Sequence, residues 1–256
     1  TMEQINKVTK MVPSGFTVDL KEQTGEDEDV LSRMGDIEEG ISYTKFLSRI
    51  IVGSNLDNKK NFTTEEINEW PAVDKYFCLL ESRIFSLGHK LDFVYKCQND
   101  KCGKETNMDE DLRKYTHDLS EGNPSKTDPD YAYKPKLFKE PNTKTFYSTL
   151  SNGKEIKWDI LTSSGELKNI KKNRDELNRS DEFRARNLAY KAESGEWVTI
   201  SNFKMFTSRI MSELREKIRT KEFEWDLTMQ CKCPHCSKIG ELMILNVPTF
   251  FFPSGV

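Results

Sequence analysis

Apolar positions along the chain switch between a period of two and a period of three to four. That pattern predicts short strands mixed with amphipathic helices. Residues 1–12 show no strong period and read as a mobile or docked arm. Phe16, Val18 and Leu20 alternate after Pro13-Ser14-Gly15 and predict a strand. Thr24 precedes the acidic run Glu26-Asp27-Glu28-Asp29, then Val30, Leu31 and Met34. This reads as a capped helix start, because carboxylates suit the positive end of a helix dipole. The run lacks a calcium-loop pattern. Tyr43, Phe46, Leu47, Ile50 and Ile51 predict an amphipathic helix that Gly53 ends. Thr63 and Glu66 have capping-box spacing, and Trp70-Pro71 breaks that short helix. Val73, Phe77, Leu80 and Ile84 give the next apolar face, closed by Gly88, with Cys78 beside it as a small buried hydrophobe.

Leu91, Phe93 and Tyr95 predict a strand running into Cys97, with a return strand around 105–108. Residues 116–143 are rich in Pro, Asn, Asp, Ser and Lys and read as a long surface connection. Beyond it, 146–150 and 155–161 flank Asn152-Gly153, which predicts a hairpin with a type I′ turn. The stretch 166–193 mixes Lys171, Lys172, Arg174, Arg179, Arg184 and Arg186 with Asp175, Glu176, Asp181 and Glu182. It reads as a solvated helical face, since its acids would repel phosphate. Phe203, Phe206, Ile210, Met211, Leu214 and Ile218 form the clearest helical stripe. Phe223, Trp225, Leu227 and Met229 then alternate into Cys231, with Leu242, Ile244 and Val247 on the return. The expected class is α+β. Its expected parts are an N-terminal half over 1–115 ending in a cysteine knuckle, a connection over 116–143, and a C-terminal half over 144–256.

Composition narrows the function. Apolar residues are 36% and charged residues 32%, with a mean hydropathy of −0.71, so the core should be thin. Aromatics at 11% are too many for a disordered chain. A net charge of −3 argues against a protein that coats nucleic acid, which needs a basic surplus. No run approaches the roughly 20 apolar residues of a membrane-spanning helix. Thr1-Met2-Glu3-Gln4 lacks the features of a secretion signal, so a soluble, cytosol-made protein is expected.

Five of the six cysteines fall into two tight groups. Cys97-x4-Cys102-Gly103 and Cys233-Pro234-His235-Cys236 each follow an alternating strand, so the two halves repeat one plan of helix, strand, cysteine turn and strand. Two such turns about 130 residues apart supply the four ligands of tetrahedral zinc. Four thiolates leave no position for a reactive water, so the implied zinc is structural. Cys97, Cys102, Cys233 and Cys236 are the expected set. Cys231 is the alternate ligand, because Cys231-x4-Cys236 copies the spacing of the first turn. No nucleophile motif, metalloprotease helix or phosphate-binding glycine loop is present, and no enzyme is expected.

The first half has a further order. The stretch Thr24-Gly25-Glu26-Asp27-Glu28-Asp29-Val30-Leu31-Ser32 precedes the helix around 46–52. Asp74, Phe77, Leu79, Leu80, Arg83, Ser86, Leu87 and Gly88 then lead into a strand and the Cys97/Cys102 turn. This resembles the baseplate hub and hub-assembly proteins of contractile-tailed bacteriophages, in which an Asp…Leu-Leu…Arg…Ser-x-Gly helix similarly runs into a cysteine knuckle. The resemblance covers roughly residues 15–115 and reappears in the hairpin and the final knuckle. It implies a non-enzymatic part in building a baseplate, with hub, spike or tape-measure components as partners. The implied location is the virion tail baseplate, or the host cytoplasm during assembly. Asp74 and Arg83 carry over as family-like positions, and both also read simply as a helix-end ion pair or cap. Phe250, Phe251 and Phe252 between two prolines read as a sticky terminus, either for a partner's groove or folded back onto the chain's own domain. A zinc-ribbon nucleic-acid-binding regulator is the alternative, hinted at by Lys101, Lys104, Lys232 and Lys238; a hydrolase using some of the carboxylates ranks third.

Overall fold

The structure, a computed structural model, describes residues 6–33, 41–140, 143–170, 181–222, 225–247 and 249–252. Met34, Phe223 and the basic positions Lys171, Lys172, Arg174 and Arg179 lie outside them. The class is α+β, with antiparallel sheets and packed helices. No helix among the described residues is long and apolar enough to cross a membrane.

Strands β1 (Lys7–Met11), β2 (Thr17–Lys21) and β3 (Ile51–Ser54) form one antiparallel sheet. The arm expected over 1–12 therefore contains a strand, hidden in sequence because its outer face carries Lys7 and Thr9. Both side chains are tied to Asp19 at 2.6 Å. Helix α1 (Gly25–Leu31) has a capping box between Thr24 and Asp27. Asp27 is fully buried and also receives Lys21 and Arg49, which hold its carboxyl below the usual range despite the burial that opposes this. Helix α2 (Ser42–Ile50) turns directly into β3. Ile51 and Gly53 thus belong to a strand and not to a helix end. Gly53 sits there because a Cβ would lie 2.8 Å from the Asp19 carboxylate. Helix α3 (Thr64–Asn68) has the Thr63/Glu66 box, and Pro71 leads into α4 (Ala72–Leu87), which ends at Gly88.

Strands β4 (Lys90–Lys96) and β5 (Glu105–Asp111) make the first cysteine hairpin. The second unit has a four-stranded sheet of β6 (Thr145–Thr149), β7 (Glu155–Asp159), β8 (Ala189–Lys191) and β9 (Trp197–Thr199). Helices α5 (Ser163–Ile170), α6 (Asp181–Arg184) and α7 (Ser208–Glu222) accompany it. Strands β10 (Thr228–Lys232) and β11 (Ile239–Met243) make the second cysteine hairpin.

The hairpin at Asn152-Gly153 does not use a two-residue turn. Leu150 N–H donates to Lys154 O, leaving a three-residue loop with Gly153 alone at positive φ, 82°. The same loop recurs at Gly15 (φ 90°) and Gly195 (φ 86°), closed by Val12–Phe16 and Ala192–Glu196. A three-residue loop needs a left-handed residue last, which glycine supplies without a Cβ penalty.

Two hydrophobic cores organise these elements, and they do not follow the expected halves. Core one joins residues from Val12 to Leu119 with residues from Leu227 to Phe251. Core two lies wholly between Leu150 and Ile218. The stripe from Phe203 to Ile218 lines core two, although Phe203 sits in a separate turn before α7. Residues 116–140 are irregular as expected but not merely superficial: Leu119 and Phe138 are buried. Within 181–193, the charged stretch places Phe183 and Leu188 in core two and continues into β8. Its bases are paired with acids, Arg184 with Asp181 and Arg186 with Glu222.

As a partner-binding site the aromatic terminus is corrected at two of its three rings, which take the fold-back arrangement instead. Phe250 and Phe251 are buried in core one, with Phe251 against Tyr43 and Phe46. The chain's own α2 fills the role expected of a partner's groove, because two phenyl rings left in water would cost several kcal/mol (about 2 each). Only Phe252 stays exposed among the three.

Candidate metal centre

Each cysteine hairpin turns its sulfurs inward by the same device. Cys97 N–H donates to Lys104 O, closing the first turn, and Cys233 N–H donates to Lys238 O, closing the second. The second thiol lies two residues before the closing residue in both, at Cys102 and at Cys236. Between them comes a left-handed residue, Gly103 (φ 55°) in the first turn and Ser237 (φ 59°) in the second. The turns are therefore equivalent, the first carrying two extra residues. Asn99 fills that extra length: its carbonyl accepts from Cys102 and Gly103, and its Oδ1 accepts from Lys101.

The hairpins meet so that the sulfurs of Cys97, Cys102, Cys233 and Cys236 all lie within 4.8 Å of one another. Cys97 and Cys236 are 3.5 Å apart, and Cys102 and Cys233 are 3.9 Å apart. No cysteine is in a disulfide. Tetrahedral sulfurs about 2.3 Å from one ion stand about 3.8 Å from each other, so the donor set fits a bound metal. Among the described residues no other group of three or more His, Cys, Asp or Glu side chains converges in this way.

Cys231 is outside the set. It lies in β10 opposite Gly240 and is buried in core one beside Met229. Two residues back along a strand is about 7 Å, which removes its thiol from the turn. The shared x4 spacing with Cys97/Cys102 misleads because the second turn is two residues shorter. Burial pushes the Cys231 thiol up, and Cys78, fully buried on α4, is pushed up further. Within the cluster the thiols divide. The Lys238 backbone N–H brings Cys236 down to about 6, helped by Cys97 and by the Asn99 amide at 3.6 Å. Cys97 receives the Asn99 backbone N–H, yet burial and donation to its neighbours push it up to about 12. Four packed thiols cannot all ionise without a cation to neutralise them.

Contacts that the sequence did not predict hold the two turns together. Lys238 Nζ donates to Gln98 O and Gln98 Nε2 donates to Glu241 O. A Cβ at Gly240 would overlap the Tyr95 hydroxyl. A glycine inside an otherwise regular strand is the available signal for such a close approach. His235 is exposed and lies outside the cluster.

Asp74 and Arg83 on α4 have separate jobs and are not paired with each other. Arg83 is buried and donates to Gly88 O at 2.6 Å and Lys90 O at 3.1 Å, capping α4 and fastening it to β4. Asp74 is buried in the first turn of α4 and accepts from Ser14 N–H at 3.0 Å. Burial raises it to about 7.

No protein-family model matches the chain, and no curated protein or solved structure matches it.

Proposed function

We propose that this chain is a non-enzymatic structural or assembly component of a contractile phage tail baseplate hub, stapled by one structural zinc ion. The observation that carries the structural role is the closed four-thiol cluster, which ties the strand pair at 90–111 to the pair at 228–243 across core one. Zinc suits four cysteine sulfurs in a tetrahedron and brings no redox chemistry, and four protein ligands leave no place for substrate. The baseplate assignment rests on the resemblance of residues 15–115. Hub, spike or tape-measure proteins are the partners of this reading, in the virion tail or in the host cytoplasm during assembly.

The nucleic-acid-binding alternative calls for a basic face beside the knuckles. Lys238 is engaged with Gln98 O, and Asp100, Glu105 and Glu241 intersperse the remaining lysines. Affinity capture of the tagged chain from phage-infected cells tests the two readings. Recovery of tail components supports the baseplate role. Recovery of nucleic acid in a salt-sensitive complex, without tail proteins, contradicts it.

A further inference from the structure

A cavity of about 580 Å³ opens where the two units meet, between the first hairpin loop, the end of α3, β6–β7 and the start of α5. Phe16 and Trp70 contribute its aromatic wall, their rings edge-on at 5.1 Å. Thr162 and Ser164 present hydroxyls 3.0 Å apart. Asp159 stands beside them, held by Thr145 and by the Asn187 amide. The wall also leaves a hydroxyl poorly served. Ser14, which lines the cavity, is 97% buried, and its Oγ makes no close hydrogen bond beyond the Asp74 carboxyl that it faces. Asp74 Oδ2 behind Ser14 is likewise buried and unpartnered, outside the lining itself. Buried polar atoms normally have partners, and Ser14 Oγ is the one of these that lines the cavity. Asp57 and Asn187 at the rim add left-handed backbones, φ 54° and 49°, of a kind that persists where surrounding structure enforces it.

We infer that this cavity binds a neutral, polyhydroxylated ligand, a saccharide of one or two rings. Its volume falls in the range of small-molecule sites. Among the described lining residues, the carboxylates of Asp57, Glu69 and Asp159 outnumber the one cation, Lys144, which disfavours a phosphate or carboxylate ligand. The lining hydroxyls of Ser14, Thr162 and Ser164 can each donate as well as accept, and a simple cation offers them no acceptor. Sugar hydroxyls both donate and accept, and the C–H faces of a pyranose pack against aromatic rings.

Ligand-observed NMR on the full chain with methyl β-glucoside, N-acetylglucosamine and N,N′-diacetylchitobiose tests this, with glucose 6-phosphate and spermidine as charged controls. At least one of the three neutral sugars should show saturable binding with a millimolar or tighter Kd, and the controls should bind at least about tenfold more weakly. Ser14→Ala and Asn187→Gly should each weaken that binding about tenfold while the melting temperature is nearly maintained, because Ser14 Oγ makes no close hydrogen bond and the Asn187–Asp159 bond is exposed. Asn187→Gly in addition relieves a left-handed backbone. Binding of none of the three sugars overturns the inference. So does preference for either charged control, or sugar binding unchanged in both variants.

Discussion

Core two is drawn from one continuous stretch, residues 150–218, whereas core one gathers residues 12–119 and then residues 227–251 from beyond that stretch. The difference matters for how each is held. The sheet of core two closes through short hairpin loops at Gly153 and Gly195 and is covered by Ile210, Leu214 and Ile218 of α7. Core one must recruit its last strand pair across a long loop, which costs chain entropy before any contact repays it. The four-thiol cluster lies where those distant segments join. Polar ties assist at the same seam, with Trp225 Nε1 donating to Tyr115 O and Tyr133 O. Between the units, Lys75 and Tyr76 of α4 both bind Glu166 of α5.

If a metal closes the discontinuous core and not the continuous one, Cys236→Ser should separate the two. It should release the metal and destabilise core one by about 5 kcal/mol or more. Amide exchange should quicken across β4–β5 and β10–β11 while β6–β9 remain protected. Cys231→Ser should keep the metal and cost only about 1–3 kcal/mol, for a hydroxyl placed in an apolar core. Equal loss of protection in both sheets would erase the distinction.

Phe251→Ala and Phe183→Ala remove comparable buried rings from the two cores, and each should cost about 3–5 kcal/mol in denaturant unfolding. The first should leave zinc content unchanged, since Phe251 packs on α2 and not on the knuckles. A terminus that instead serves a partner would give a value near zero.

Asp74 sharpens the comparison through pH. Its folded value of about 7 lies above the ordinary 3.8, so the fold holds that proton more tightly than the unfolded chain does. Its contribution is complete below about pH 4 and is lost as pH rises through about 7. Asp74→Asn should abolish this slope and raise stability above neutrality by up to about 4 kcal/mol, read as a Tm profile against pH.

Much of this was legible in residue order. The cap at Thr24, the capping box at Thr63, the Gly88 stop and the convergence of Cys97, Cys102, Cys233 and Cys236 follow from local chemistry that tertiary packing did not override. The β1 strand was not legible, because Lys7 and Thr9 replace apolar residues with partners on Asp19. The turn at Gly153 was misread because Asn152-Gly153 fits two loop lengths and only the Leu150–Lys154 hydrogen bond distinguishes them. Core membership was invisible for a different reason. No local pattern records that 227–251 returns to α2 and not to its neighbour α7.

The smallest expected effect concerns the two knuckles themselves. Ser237 occupies the left-handed position that Gly103 fills in the other turn, so Ser237→Gly should gain about 0.5–1 kcal/mol and Gly103→Ala should lose at least as much. Midpoints of denaturant unfolding with metal present would report both. A loss with Ser237→Gly would mean the turns are not equivalent.

Elemental analysis of the untagged chain, purified without added metal, bears on the staple directly. Close to one zinc per chain, retained through dialysis and released together with core-one structure by a strong chelator, is the expected result. A chain that contains no metal and is nonetheless fully folded would contradict it.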